Sequence, residues 1–194
     1  MSGIWPGDTQ CVAMLTFDVD GVSSWIRRNA DFANLPSLMS MAEYGPHVAM
    51  PRILDLLDIY SIKGSFYVPG YIAETNVEMV EEIVTRGHEV AHHGYMHEPP
   101  ASMSADEEQE VLEKGIEILQ RITGKAPLGY RSPSWELSDV SLDLLSSHGF
   151  RYDSSLMGDD APYTLNAGTP QSLVEIPICL LYTSPSPRDA TLSR

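Results

Sequence analysis

Short apolar runs alternate with amphipathic stretches along this chain. Val12 to Phe17 is a compact apolar run, the signature of a buried strand, and it ends in Asp18, Val19, Asp20 and Gly21. From Pro51 the period changes: Ile53, Leu54, Leu56, Leu57 and Tyr60 repeat at helical spacing, with proline in the first turn and Gly64 closing the unit. Gly64 to Val68 predicts a second buried strand stopped by Pro69 and Gly70. A helix from about Asn76 to Arg86 follows, with Val77, Val80, Ile83 and Val84 facing inward and Gly87 as C-cap. His88 to Ala91 predicts the third strand.

The second half repeats the alternation. Ser104 and Glu107 form a capping-box signature, opening a helix that carries Val111, Leu112, Ile118, Leu119 and Ile122 and closes at Gly124. Gly129, Tyr130 and Arg131 make a short fourth strand or strand end. A helix from near Ser138, with Val140, Leu144 and Leu145, ends at His148 and Gly149, and Phe150 to Asp153 predicts a fifth strand. The run from Leu173 to Ile178 again reads as a strand. Strands alternating with helices in this way predict an α/β fold, as a parallel barrel or an open doubly wound sheet.

Two stretches break the pattern. Val22 to Met50, with Trp25, Arg27, Arg28, Asn29, Met39, Met41, Tyr44 and His47, has no clean period and predicts a long loop over the rim bearing Asp18 and Asp20. From Cys179 onward periodicity stops, in CLLYTSPSPRDATLSR. That run resembles a transposase sequencing adapter translated in one frame. It is therefore expected to be a non-native tail over 179–194, with a truncated domain over 1–178.

Composition narrows the class. At 194 residues, 43% hydrophobic and 20% charged, the chain suits one globular domain. A formal charge of −15 argues against nucleic acid or an anionic membrane as partner. The first ten residues carry no basic, apolar leader pattern and no run reaches membrane-spanning length, so a cytoplasmic location is expected. Two cysteines, Cys11 and Cys179, give no disulfide framework, and Cys11 reads as a buried strand residue. Self-association through sheet edges is compatible with this architecture.

The chemistry concentrates in HEVAHHGYMH, where four of the six histidines fall between His88 and His97. His93 and His97 are four residues apart, a spacing that one turn directs toward a single point. They lie just past the third strand, on the rim that receives Asp18 and Asp20 if the strands are parallel. Two histidines and a carboxylate make a three-ligand zinc site with one position open, the catalytic kind. The remaining histidines have simpler readings: His88 and His92 as structural, His148 as a helix C-terminal residue, and His47 as an exposed loop residue.

TFDVDG, GHEVAHHGYMHEPP and GYRSPSW, in this order, resemble the polysaccharide deacetylase (NodB-homology) family over nearly all of residues 11 to 178. Within it they look most like the intracellular peptidoglycan-deacetylase-like branch, which also holds cyclic-imide and allantoin-type amidohydrolases. The resemblance implies a distorted, incomplete (β/α) barrel of the TIM-barrel-like kind, here truncated at its C-terminal end. It further implies Asp20, His93 and His97 as ligands of zinc or another divalent transition metal, Asp18 as general base and Arg131 as the residue that orients it. The family more often has its two aspartates adjacent, whereas Val19 separates them here, and Ser134 stands where an aromatic is usual. Trp25, Tyr95, Ser134 and Trp135 are candidate substrate contacts, though the three aromatics could equally fill the core. No late Leu-x-His motif, the family's proton donor, is present. Three functions follow as expectations: deacetylation of an N-acetylated sugar in peptidoglycan or another glycan, hydrolysis of a small cyclic imide or ureide, or metal and carbohydrate binding without catalysis. A fragment lacking the closing strands and the proton donor is expected to be poorly active.

Overall fold

The computed structural model describes residues 12–165 and 172–178. Cys11, Cys179 and the tail over 179–194 lie outside the described residues. Among the described residues, seven strands form one open sheet: β1 (Thr16–Asp18), β2 (Ser65–Val68), β3 (Glu89–His92), β4 (Gly129–Tyr130), β5 (Tyr152–Asp153), β6 (Tyr163–Leu165) and β7 (Leu173–Glu175). Their spatial order is β1-β2-β3-β4-β5-β7-β6. Every pairing is parallel except β6 with β7. The alternation in the sequence is thus realised as an α/β fold, and the sheet of described residues does not close on itself. Parallel strands place their C-terminal ends on one rim, so Asp18, His93 and Arg131, at or just past the ends of β1, β3 and β4, share an edge.

Seven α-helices of the described residues accompany the sheet: α1 (Ser23–Arg28), α2 (Pro36–Tyr44), α3 (Met50–Ile59), α4 (Gly70–Thr75), α5 (Val77–Thr85), α6 (Ala105–Thr123) and α7 (Ser141–Ser147). α6 carries the predicted capping box: Glu107 donates its N–H to Ser104 Oγ and its carboxylate accepts the Ser104 N–H at 2.8 Å. Gly124 ends α6 in a left-handed conformation. One apolar cluster joins Leu54, Leu57, Phe66, Val68, Ile72, Val80, Ile83 and Leu119, packing α3, α4, α5 and α6 around β2. A second joins Leu112, Tyr130, Leu145, Phe150 and Leu173. Each fully buried Leu, Ile or Phe contributes about 1.5–3 kcal/mol by leaving water, so these two clusters anchor the rim from below.

The structure corrects several readings. The run from Val12 is not a buried strand throughout, since β1 begins only at Thr16 and Val12, Met14 and Leu15 are exposed. On α5, Val80 and Ile83 face inward as expected, whereas Val77 and Val84 are exposed at the edges of that face. Val22 to Met50 is not a loop. It folds as α1, a short 3₁₀ turn (Ala30–Asn34), α2 and a wide π-helical turn (Gly45–Ala49) that runs straight into α3. Its helices bury few residues, among them Ser23, Ala42, Pro46 and Met50, and so lack the apolar stripe that periodicity detects. A further correction is α4, a short helix opening directly at Gly70, where Pro69 and Gly70 read as a stop. Proline before a helix start is equally at home, since it sets an extended entry.

Candidate metal centre

β1 ends at Asp18, and the backbone then keeps pairing through Val19, whose N–H donates to the Tyr67 carbonyl at 2.9 Å. Val19 points into the core and is 4% exposed, so the side chains on either side of it face the rim together. This is how a D-V-D sequence presents two carboxylates to one place.

Arg131, itself buried, holds the first of them. Its Nη1 donates to Asp18 Oδ1 at 2.7 Å, its Nε to the Ser154 carbonyl at 2.9 Å, and its Nη2 to Ser154 Oγ at 2.8 Å and Thr16 Oγ1 at 3.1 Å. The guanidinium also lies 3.9 Å over the Tyr67 ring. With so many fixed partners the group is a rigid clamp, and it engages Asp18 through one oxygen, leaving the other for further work.

Asp20 faces two imidazoles. Its oxygens lie 3.4 Å from His93 Nε2 and 3.3 Å from His97 Nε2, and the three donor atoms fall within 4.8 Å of one another. The His93 Nδ1–H donates to the Arg131 carbonyl at 2.7 Å. A carbonyl can only accept, so in the neutral ring the proton sits on Nδ1 and Nε2 presents a lone pair to Asp20. Asp20 Oδ1 is buried without a hydrogen-bond partner among the described residues. Burial alone would raise the Asp20 carboxyl, but the imidazoles against it, His93 ahead of His97, pull it below the usual carboxylate range. Burial opposes charge on His93, yet Asp20 and Asp18 outweigh it and push that imidazole up. Asp20 and His93 therefore each favour positive charge at the point between them. A carboxylate oxygen and two imidazole nitrogens are the donor set of a divalent transition metal, and the residues fit one.

The loop carrying the two histidines is not a helix. His97 adopts a left-handed backbone (φ 64°), and so does Gly94 (φ 71°), where an added Cβ would come within 3.1 Å of Pro133. α4 pins one side of this loop: the N–H groups of Gly70 and Tyr71 donate to the Gly94 and Tyr95 carbonyls at 3.0 Å. Glu98 pins the other, its Oε2 accepting the N–H groups of Tyr95 (3.1 Å) and Met96 (2.7 Å). Sequence reasoning misses Glu98. The signal it carries is a carboxylate directly after the second histidine of a tight glycine-containing loop, where unpaired backbone donors need an acceptor.

His92 is buried between Tyr130 and Phe150, with Nε2 donating to the Leu112 carbonyl at 3.1 Å and Nδ1 accepting the Gly94 N–H at 3.1 Å. Both nitrogens are used, and burial pushes its pKa down to about 3, so it is a neutral structural residue. His88 accepts the Gly64 N–H through Nδ1 and packs its edge on Phe66. His148 sits at the C-terminus of α7, against Leu144 and Glu113.

A cavity of about 510 Å³ opens at Asp18, Asp20 and Arg131, walled by Pro46, Ala49, Met50, Ile53 and Trp135. The segment 22–50 therefore does border the site, as wall rather than as loop. Of the four candidate substrate contacts, Trp135 lines this cavity, with Ser134 beside it; both have left-handed backbones (φ 60° and 64°), unusual for such residues. Trp25 packs with Phe32 and Arg28, and Tyr95 is engaged by Tyr71, Glu74 and Lys114, both away from the cavity lining.

Residues 33–152 match the family model for polysaccharide deacetylase. A peptidoglycan deacetylase of Helicobacter pylori is 39% identical over 159 residues, covering 81% of this chain and 54% of that protein. A peptidoglycan deacetylase-like protein of Gibberella zeae is 33% identical over 184 residues, covering 93% and 54%. The chain thus spans about half the length of these curated relatives. Among solved structures, a candidate polysaccharide deacetylase from Mycobacterium smegmatis superposes with a TM-score of 0.87 at 43% identity, covering 91% of this chain and 61% of that one. With a match extending over more than half its length and a fold shared with that structure, the chain belongs to the polysaccharide deacetylase family.

Proposed function

We propose that this chain carries the metal-binding and base-bearing part of a hydrolase that removes the acetyl group from an N-acetylated sugar of peptidoglycan or a related glycan. One observation carries the reading: an Asp18 clamped by Arg131 lines one cavity together with Asp20, and Asp20 gathers with His93 and His97 into a single donor cluster. The names of the Helicobacter and Gibberella relatives support the substrate class. Asp20, His93 and His97 would hold the metal, with zinc the ion best suited to two imidazoles and a carboxylate. Such an ion, when bound, supplies Lewis-acid charge for a scissile carbonyl and makes a water acidic enough to attack at neutral pH. Asp18 accepts the proton from the attacking water through the oxygen Arg131 leaves free, and that proton is the one available to the amine nitrogen as the C–N bond breaks. Arg131 keeps that carboxylate in one orientation. The Trp135 N–H already donates to the Ser132 carbonyl at 3.0 Å, which leaves the Ser134 N–H as the backbone group for charge growing on the carbonyl oxygen. Trp135 offers a flat face to a sugar ring at the cavity wall.

The test is acetate release from N-acetylglucosamine oligomers by the full chain, with and without zinc, for the native sequence and Asp18→Asn. Slow turnover that needs the metal and falls by a further factor of about 10²–10⁴ in the variant, with zinc still bound, is the expected result. Ring opening of a cyclic imide or ureide in place of acetate release would move the reading to the amidohydrolase alternative. Zinc and oligomer binding with no turnover in either protein would leave a binding protein.

A further inference from the structure

A second pair of carboxyl groups lies behind the first site and plays no part in the chemistry above. Asp153 on β5 and Glu175 on β7 are register partners on adjacent parallel strands, and both are completely buried. Asp153 Oδ1 accepts the Ser155 hydroxyl at 2.7 Å, and Glu175 Oε1 accepts the Leu156 N–H at 3.0 Å. The remaining oxygen of each, Asp153 Oδ2 and Glu175 Oε2, is buried with no hydrogen-bond donor among the described residues. Among the described residues no Lys, Arg or His comes within ion-pair distance of either group. The other titratable groups that feel the pair are phenols, Tyr130 on β4 and Tyr163 on β6. Two facing carboxylates without a cation cannot both be charged in such a place.

We propose that Asp153 and Glu175 share one proton between their unpartnered oxygens and serve as positioning residues for the rim segment Ser132–Trp135. The shared proton removes one charge and supplies the missing donor. Burial, and for Glu175 the neighbouring Asp153, hold the pair's protonation well above the ordinary carboxylate range. The route to the rim is short: the Ser155 hydroxyl that Asp153 orients accepts the Ser132 N–H at 2.9 Å. Ser132 opens the turn that places Ser134 and Trp135. Ser154, between the two, holds Arg131 and donates to the Ile176 carbonyl at 2.8 Å, just past Glu175. The proposal concerns a protonation state and a backbone position, so it stands or falls independently of the reaction assigned to the site.

The sign of its pH dependence follows from linkage. Above the ordinary carboxylate range the folded chain keeps a proton that the unfolded chain has released, so stability falls as pH rises through that window. Infrared difference spectra of the full chain at about pH 7.5 should show a protonated carboxyl band that Glu175→Gln removes, since the pair's titration lies above the ordinary carboxylate range. In Glu175→Gln the amide N–H replaces the shared proton, so folding is retained and the decline in unfolding midpoint from about pH 6 to about pH 9 flattens. Trp135 emission, read in a background with Trp5 and Trp25 replaced by Phe, should match the native chain in Glu175→Gln and shift in Asp153→Ala. A protonated band that persists in the Gln variant, an unchanged pH slope, or Trp135 emission indifferent to Asp153→Ala would each overturn the proposal.

Discussion

At the scale of single residues, the histidine loop is held by groups that touch no candidate ligand atom. A left-handed backbone at His97 is an unfavourable conformation for a histidine, of order 1 kcal/mol or more, and persists only where surrounding bonds fix it. Glu98 supplies two of those bonds, to the Tyr95 and Met96 N–H groups. Removing its carboxylate frees both donors and lets the loop relax, moving His97 away from Asp20 and His93. Glu98→Ala should therefore weaken zinc binding by about 10–100-fold, the usual cost of losing a residue that orients a metal ligand. Glu98→Gln, whose amide oxygen still accepts, should lose less. Competition against a zinc-chelating fluorophore measures both, and an affinity unchanged in the Ala variant would show that α4 holds the loop without help.

At the scale of elements, β3 and α6 meet through a hole in a helix. Gly115 lies in the middle of α6, where glycine costs about 1 kcal/mol relative to alanine by propensity alone. The cost is accepted because a Cβ there would sit 2.1 Å from His92 Nε2, the atom that donates to the Leu112 carbonyl one turn earlier. His92 in turn accepts the Gly94 N–H and so fixes the start of the loop that carries His93 and His97. Gly115→Ala, a helix-favouring change on propensity, should instead destabilise the fold by about 1–3 kcal/mol through overpacking. Urea unfolding decides it: a gain in midpoint would mean that His92 has room to move.

This is also the scale at which sequence and structure part. The strands β2 and β3 and the helices α3 and α6 are legible because their apolar residues recur in period and their ends carry strong signals, such as Ser104 with Glu107 and Gly124. β1 is legible only at its end, since the apolar run before Thr16 stays exposed. The segment 22–50 is not, because its helices bury isolated residues and draw their order from Pro36, Pro46 and the cavity wall. At the candidate metal centre, Asp18, Asp20, His93, His97 and Arg131 can be found from three short motifs, since carboxylates, imidazoles and a guanidinium gathered at the ends of parallel strands would cost far more than they return unless they served a shared site. Glu98 leaves only a faint signal, a carboxylate just after the second histidine, and the Asp153–Glu175 pair leaves none. Glu98 acts on the backbone of its own loop, and the pair acts through a strand neighbour distant in sequence, since nothing in residue spacing announces β5 lying beside β7.

At the scale of the whole molecule, the candidate metal centre would also be a structural tie. Asp20 follows β1, while His93 and His97 follow β3, so a shared ion would join two segments far apart in sequence across the rim of an open sheet. An ion that binds the folded arrangement and not the unfolded chain adds RT ln(1 + [L]/Kd) to stability, about 2.7 kcal/mol at a hundredfold excess over Kd. For a chain of this size that is a rise of about 5–10 °C in unfolding midpoint. Zinc added to metal-free protein should give this rise, and a chelator should reverse it. The gain should fade as the pH falls, because protons compete with the ion for the two imidazoles. His97→Asn is the informative control, since asparagine tolerates the left-handed backbone that His97 adopts while removing its nitrogen from the centre. The variant should unfold near the metal-free midpoint and gain little from zinc. A variant that gains as much as the native chain would place the ion elsewhere and remove His97 from the ligand set.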